Sequence, residues 1–210
     1  MGCLLFIILT LVAMLFYPGP DGRYPGGYSF FRNFFSALGY THNSAGYPNP
    51  VASVMFFIAL SLAGAGLVLF FMAFPQFFTT TRRGRLLSWC GTAFGAAAGI
   101  CFIGIAFTPA DVYRQPHLYF VLWAFRLFPI AVFLYAIAIF SQKEYPRRYG
   151  WVFVVFGILL VLYVLLLEFG PGYDTPDGLV TQVVGQKIIV YASLVSILIQ
   201  AWGAKKFNRS

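Results

Sequence analysis

The sequence predicts an all-α membrane protein: a bundle of six transmembrane helices with a short amphipathic interfacial helix in the first outer loop. The first reason is composition, because 60% of the 210 residues are hydrophobic, only 10% are charged, and the mean hydropathy is +0.79. The second reason is that the apolar residues fall in six long runs. Each run is expected to be a helix, because lipid offers no hydrogen-bond partner to an exposed backbone amide.

The apolar runs also set the expected bounds of the helices and the domain organisation. The first run is short, but no basic segment precedes it and no small-residue cleavage site follows it, so we expect a membrane helix rather than a signal peptide. The connections on the inner side are short and no linker divides the chain, which predicts a single domain over residues 1–210. The six helices are expected at about 1–17, 51–74, 86–107, 118–140, 151–169 and 179–202.

The basic residues predict the orientation of the helices. The net charge is +8, and most of the cations follow the second, fourth and sixth helices, where only Glu144 opposes them. By the positive-inside rule these clusters are cytoplasmic, so both termini are expected in the cytoplasm and the loop 18–50 outside. We expect the inner or plasma membrane of a prokaryote. The clustered cations are Arg82, Arg83, Arg85, Lys143, Arg147, Arg148, Lys205, Lys206 and Arg209.

This charge distribution also bears on partners. Because membrane topology accounts for the basic residues, no nucleic-acid partner is expected, and membrane lipids are the expected partners. Protein partners in a larger membrane complex are a second expectation. The three cysteines lie within predicted helices and show no disulfide or metal-binding spacing, so neither a metal site nor a cofactor is expected.

The outer loop at 18–50 is long, and it contains the segment SFFRNFFSALGY. Its apolar residues share one helical face and its polar residues share the other, which predicts a short amphipathic helix at the outer interface. The polar face could meet lipid phosphates or the mouth of the bundle. The apolar face holds Phe30, Phe31, Phe34, Phe35 and Leu38, and the polar face holds Ser29, Arg32, Asn33 and Ser36.

Ionisable residues within or beside the helices all belong to the outer half of the protein. Charge at such depth is costly and usually faces protein or a wet cavity, so we expect one outward-facing polar pocket lined by the third to sixth helices. The groups expected to pair there are Asp111 and Glu168 with Arg32, Arg126 and Lys187. The predicted ligand-binding residues are Arg32, Asn33, Ser36, Asp111, His117, Arg126, Gln186 and Lys187.

Other interpretations of the same residues stay open at this point. The buried charges could be a structural network that fixes the helices, and Arg32 could contact an interfacial phosphate. Asp111 and His117 could serve only to cap or turn the chain before the fourth helix. If the protein is an enzyme, these two residues form the expected general-base pair of a lipid hydrolase or acyltransferase.

Several short motifs resemble a known family. They are YSFFRNFFSALGY at 28–40, PNP at 48–50, GIAFTPAD at 104–111, HLYF at 117–120 and GLVTQVVGQK at 178–187. Together they resemble the uncharacterised six-helix membrane family DUF998, which is distantly similar to the Frag/DRAM/Sfk group. The resemblance marks the segments Ser36 to Gly39 and Pro109 to Asp111, together with His117, as a recurring polar signature. Lys187 stands where the family often has arginine, which keeps the charge and loses the guanidinium fork.

The resemblance implies a role rather than a reaction. Members of the Frag/DRAM/Sfk group are linked to membrane-lipid handling, including the remodelling of GPI lipids. We therefore expect a protein that binds a lipid headgroup or other amphiphile in the outward pocket, in a lipid-handling or accessory role. The alternatives are a structural subunit of a larger membrane complex, in which the polar cluster only stabilises the bundle, and the lipid hydrolase or acyltransferase.

Overall fold

The structure is a computed structural model that describes residues 2–24 and 27–207. Its helices are α1 (Gly2–Leu15), α2 (Pro50–Ala73), α3 (Arg82–Phe107), α4 (Arg114–Phe140), α5 (Arg147–Phe169) and α6 (Pro176–Phe207), with short 3-10 helices at Phe35–Gly39 and Phe74–Phe77. The described residues form no strand beyond a single bridge between His42 and Pro48. The predicted all-α class is confirmed.

Five of these helices are long and apolar enough to cross a membrane, namely α2 to α6. By contrast, α1 has 14 residues. That is about 21 Å of helix, less than the roughly 30 Å of a bilayer's hydrocarbon core. The sixth crossing therefore stays a prediction, and Met1, the first residue of the predicted run, lies outside the described residues.

Three helices extend beyond the apolar runs into the basic clusters. The helix α3 begins at Arg82 because the Thr81 side chain caps it, accepting a hydrogen bond of 3.0 Å from the Gly84 amide. At its other end, α6 continues to Phe207, so Lys205 lies in its last turn, where a cation favours the helix dipole. Hydropathy marks only the part of a helix that lies in hydrocarbon, whereas the helix itself continues into the interface. Arg209, predicted to belong to this cluster, lies outside the described residues.

Helices adjacent in sequence pack against each other in order, with α3 and α4 in the most extensive contact. As a result α6 packs mainly on α5, and α1 mainly on α2. We call the end that carries residues 16–24 and 27–49 the loop end. The opposite end, called the basic end, carries the cations at the start of α3, around the α4–α5 connection and at the end of α6.

Two glycines let α2 and α3 approach closely. A Cβ added at Gly99 would lie 2.7 Å from Val68 Cγ2 and 3.0 Å from the Gly64 carbonyl oxygen. Small residues at such a crossing bring two backbones within van der Waals contact, which is the main source of attraction between helices in lipid. The glycine pair therefore sets the distance between α2 and α3.

The loop helix is shorter than predicted. Only Phe35–Gly39 is helical, as a 3-10 helix, and residues 30–33 form a turn. The Ser29 amide donates to the Asn33 side chain over 2.8 Å, and the Phe35 amide donates to the Gln186 side chain over 2.6 Å. The second bond engages an amide that a continuous helix would use for its own hydrogen bonding. The expected apolar face is consequently split, with Phe35 3% exposed and Phe31 62% exposed.

Candidate functional site

The segment 28–39, which we call the plug, fills the loop end of the bundle. The Phe35 ring lies 5.9 Å from the ring of Phe6 in α1 and 5.9 Å from that of Tyr191 in α6. Leu38 is fully buried, and a Cβ added at Gly39 would lie 2.6 Å from the Phe56 ring of α2. The plug thus bridges α1, α2 and α6, and most of its anchoring side chains are apolar.

Two adjacent residues of α6 hold the plug by its backbone. The Gln186 side-chain oxygen accepts from the Phe35 amide over 2.6 Å, and Lys187 Nζ donates to the Asn33 carbonyl over 2.7 Å. Tyr28 donates its hydroxyl to the same carbonyl over 3.1 Å. Each of these bonds joins residues more than 150 positions apart or closes the plug on itself, so the plug's shape depends on α6.

Lys187 lies in an aromatic cage. Its Nζ is 4.4 Å from the centre of the Phe35 ring, 5.2 Å from Phe30 and 5.4 Å from Tyr28, and the residue is 3% exposed. In the described part of the chain no carboxylate lies within ion-pair distance of this ammonium group. Ring faces and one carbonyl therefore stabilise the charge, a cation–π arrangement that is strongest away from water.

Asp111 ties the chain after the plug to the turn between α3 and α4. One carboxylate oxygen accepts from the Thr41 amide (2.8 Å), the Thr41 hydroxyl (2.6 Å) and the His42 amide (3.1 Å). Burial, and next the Asp111 charge, raise the pKa of the nearby Tyr40 phenol, and burial also raises the pKa of Tyr28. Both phenols therefore stay neutral at physiological pH. Asp111 acts here as an anchor of the loop.

Replacing Asp111 by alanine is expected to loosen residues 41–42 without unfolding the bundle. Three donors lose one shared acceptor, and because the carboxylate is exposed to water the loss is about 1–2 kcal/mol. Hydrogen–deuterium exchange should rise about tenfold at the Thr41 and His42 amides. Asp111→Asn is the matched control, since its amide oxygen can still accept; equal exchange in both variants and the wild type would contradict the anchoring role.

His117 is used in the same turn. Its Nδ1 lies 2.7 Å from the Thr108 carbonyl oxygen. Because a carbonyl only accepts, the ring carries its proton on Nδ1. The residue is 4% exposed, and no hydrogen bond between described residues joins it to Asp111. The structure thus places His117 as a buried link between α3 and α4, and the expected general-base pair is not assembled.

Arg126 and Glu168 form the one predicted ion pair that is present among the described residues of the proposed pocket. The Arg126 Nε donates to a Glu168 oxygen over 3.0 Å, and Nη2 donates to the same oxygen. The side chains are 42% and 29% exposed, and the guanidinium lies 5.9 Å from the Trp123 ring. This pair joins α4 to α5 on the surface of the bundle.

The remaining predicted pairings are wrong. Asp111 bonds to Thr41 and His42, Lys187 bonds to the plug, and the exposed Arg32 side chain forms no hydrogen bond or ion pair with the described residues. The half-buried Ser36 side chain forms none within the described ranges either. The predicted site residues therefore make several separate contacts, and only Asn33, Gln186 and Lys187 come together. Their role in ligand binding stays a prediction.

The sequence did not predict an apolar groove that lies beneath the plug. Its volume is about 250 Å³, and residues of α1, α2, α3, α4 and α6 line it. Along α2 it extends from Leu60 to Phe70, about 15 Å, and along α6 from Val190 to Ala201, about 17 Å. Phe6 lines its loop-end limit and packs against Phe35 of the plug.

The described residues of α1 pack against the half of α2 that is nearer the loop end. A Cβ added at Gly2 would lie 3.6 Å from the Leu62 carbonyl, near the middle of α2. From that depth toward the basic end, α2 and α6 both face the groove. A signal in the sequence was the small residue Gly66, where an added Cβ would meet nothing within 4 Å. A glycine in an apolar helix more often indicates close packing of two helices. The groove could therefore not be predicted from Gly66 without knowing the positions of the neighbouring helices.

Comparison with known proteins gives one result. The model of the family described as "Protein of unknown function (DUF998)" matches residues 1–202, which include the plug and every residue that lines the groove. No match to the chain was found among curated proteins or among solved structures. The similarity to the Frag/DRAM/Sfk group therefore stays a prediction.

Proposed function

The chain belongs to the DUF998 family, whose function is unknown, and from its own groove we propose that it binds an acyl chain of a membrane amphiphile. One observation carries the proposal: an apolar groove of about 250 Å³ lies among helices that are long enough to cross a membrane. Apolar cavities are where proteins bind apolar ligands, and burial of hydrocarbon supplies the free energy.

The lining fits hydrocarbon rather than a polar ligand. Ser193 and Cys3 are the only lining residues with a hydroxyl or thiol group, and the Ser193 hydroxyl donates to the Ile189 carbonyl of its own helix over 2.7 Å. The walls are otherwise phenylalanine, leucine and other apolar side chains. Such a lining offers van der Waals contact along a chain and leaves a polar group unsatisfied.

The length of the groove fits one leaflet. It covers about 15 Å of α2, half of the roughly 30 Å hydrocarbon core. Phe6 lines it toward the loop end and packs against Phe35 of the plug, and both rings are buried. An acyl chain that enters beside α6 would thus end beneath the plug, at about the middle of the bilayer.

The contacts at the loop end favour binding over catalysis as the role of the protein. Asp111 and His117 have separate partners, so no acid–base pair faces the groove. Asn33, Gln186 and Lys187 would act on the ligand indirectly, because they hold the plug that limits the groove. The proposed role is therefore lipid handling or accessory lipid binding. Arg32 and Ser36, predicted from the sequence as ligand contacts, lie at the loop end and are not part of this groove.

Filling the groove is expected to remove the bound chain. Gly66→Phe places a ring in the open space beside α2. Gly66→Ala also removes the conformational freedom of glycine, but its methyl group leaves most of the groove volume empty. After exchange with vesicles containing spin-labelled stearate, the immobilised label per protein should fall at least tenfold in Gly66→Phe and stay near wild type in Gly66→Ala.

A second variant tests the opposite wall. Ala201→Phe approaches the groove from α6, so a loss of label in both phenylalanine variants ties the effect to the groove. Equal immobilisation in wild type, Gly66→Phe and Gly66→Ala would contradict the proposal. Co-purification of a partner protein in place of lipid, on the face between α2 and α6, would also contradict it and favour the structural-subunit alternative.

A further inference from the structure

We propose that the groove takes one acyl chain of an anionic phospholipid, and that Lys205 at the end of α6 binds the phosphate. This inference rests on the proposed function and adds to it the class of lipid, the end at which its headgroup lies and the residue that selects it.

The helical phase of α6 places Lys205 in line with the groove. Leu194, Leu198 and Ala201 line it, and Lys205 follows Ala201 by four residues, at the spacing that keeps residues on one helical face. Lys205 therefore lies about 6 Å beyond Ala201 along the helix axis. A lipid phosphate at the mouth of the groove is within reach of this side chain, which is exposed and has no hydrogen-bond or ion-pair partner within the described ranges.

The neighbouring lysine is arranged differently. Lys206 also lies in the last turn of α6, but its Nζ is 5.8 Å from the centre of the Trp202 ring. Trp202 does not line the groove, and neither does any residue one turn before Lys206 on its own face. Lys206 thus has the same charge and almost the same depth as Lys205 without its alignment, and it serves as a matched control.

The direction of the lipid follows from the closed and open limits of the groove. Phe6 and Phe35 pack together at the loop-end limit, so the methyl end of the chain belongs there. The headgroup must then lie at the basic end. A chain in the opposite direction would place a phosphate against buried rings. The described cation nearest this limit, Lys187, is 3% exposed and enclosed by the rings of the plug, so it does not face the groove.

The charge of the basic end favours an anionic headgroup over a zwitterionic one. Among the described residues this end has eight cations and one carboxylate, Glu144, whereas the loop end has five of each sign. Cations near a membrane surface attract anionic lipids, and each contributes about a fivefold increase in local affinity. The cations are Arg82, Arg83, Arg85, Lys143, Arg147, Arg148, Lys205 and Lys206.

The test compares two lipids with the same labelled chain. The purified full chain is equilibrated with phosphatidylcholine vesicles that contain either phosphatidylglycerol or phosphatidylcholine, each with a nitroxide on the acyl chain. Electron paramagnetic resonance then gives the immobilised fraction. We expect the wild type to prefer phosphatidylglycerol at least fivefold, Lys205→Gln to reduce the preference to below twofold, and Lys206→Gln to retain most of it. Immobilisation of labelled phosphatidylcholine should be unchanged in both variants.

The outcomes separate the two proposals. If neither lipid is immobilised by the wild type, the proposed function fails and this inference with it. If both are immobilised equally, the groove binds chains and only the anionic preference is overturned. Equal effects of Lys205→Gln and Lys206→Gln would assign the preference to the general field of the basic end and overturn the role of Lys205. A photoreactive group at the methyl end of the chain should label peptides near Phe6; labelling confined to peptides near Ala201 would overturn the direction.

Discussion

Replacing Gly99 by valine is expected to destabilise the bundle by about 3 kcal/mol or more, because the new side chain has no space at the crossing of α2 and α3. The added Cβ would already lie 2.7 Å from Val68 Cγ2, 3.0 Å from the Gly64 carbonyl oxygen and 3.1 Å from the Val68 amide nitrogen. Two of these three atoms belong to the backbone of α2 and cannot rotate away. The helices must therefore separate, which overpacks other contacts and loses the close approach on which helix association in lipid depends.

The same substitution at Gly66 is the control. It also converts a glycine in an apolar helix to valine, but an added Cβ meets nothing within 4 Å. Thermal unfolding of the purified protein, followed by circular dichroism and by the fraction that remains monodisperse, should show a large drop in midpoint for Gly99→Val and little change for Gly66→Val. A Gly99→Val protein as stable as the Gly66→Val protein would show that α2 and α3 are not held at the distance described.

Changing Lys187 to glutamate is expected to release the plug, at a cost of about 3–5 kcal/mol. A carboxylate at this position would face the negative faces of Tyr28, Phe30 and Phe35 and the lone pairs of the Asn33 carbonyl. No described cation is within reach to pair with it, and an uncompensated buried charge is among the most destabilising changes a protein can undergo. Hydrogen–deuterium exchange should increase strongly over 28–39, while the amides in the middle of α3 and α4 stay protected.

Lys187→Met separates the charge from the packing of the side chain. Methionine keeps an unbranched apolar stem in the cage, and the Asn33 carbonyl keeps its bond from Tyr28, so we expect a smaller loss of about 1–2 kcal/mol. If methionine and glutamate release the plug equally, the cage does not recognise the charge. If both leave exchange over 28–39 unchanged, the plug is held by its apolar contacts alone.

The plug and the groove share side chains, so a change in one is expected to alter the other. Phe6 lines the groove and packs against Phe35, and the Phe35 ring is also the closest ring to the Lys187 ammonium group. Release of the plug by Lys187→Glu should therefore open the loop-end limit of the groove. Spin-labelled stearate that remains bound in this variant is expected to be less immobilised near its methyl end.

Much of the fold was predictable because helices in lipid are specified locally. A run of apolar residues long enough to span must satisfy its own backbone hydrogen bonds, so α2 to α6 could be located from the sequence within a few residues. The helix ends were less predictable, since Thr81 and Lys205 extend helices into water, where hydropathy has no signal. The ion pair of Arg126 and Glu168 was also among the expected pairings. Opposite charges at similar depth on neighbouring helices are close enough to attract each other.

The partners of the buried polar groups could not be predicted in the same way. Lys187 interacts with a backbone carbonyl and three rings, and Asp111 with a hydroxyl and two amides. Every residue has the same backbone groups, and an aromatic ring can contact many kinds of partner, so residue types do not reveal these contacts. The expectation that Asp111 and Lys187 pair with opposite charges was therefore wrong. The amphipathic pattern of the plug failed for a related reason, because Gln186 took the amide of Phe35 that a longer helix would have used.

By itself, the sequence determined the membrane character, the helices and the family of this protein, since each depends on residues that are close together in the chain. Only the tertiary structure decided where the loop at 28–39 goes and that a groove lies beneath it. Helices α1, α2, α3, α4 and α6 all line that groove, and its shape depends on the distances between them. Contacts such as that of Gly64 in α2 with Gly99 in α3 set these distances. An empty volume is a property of several packed surfaces at once, and no segment of the chain specifies it alone.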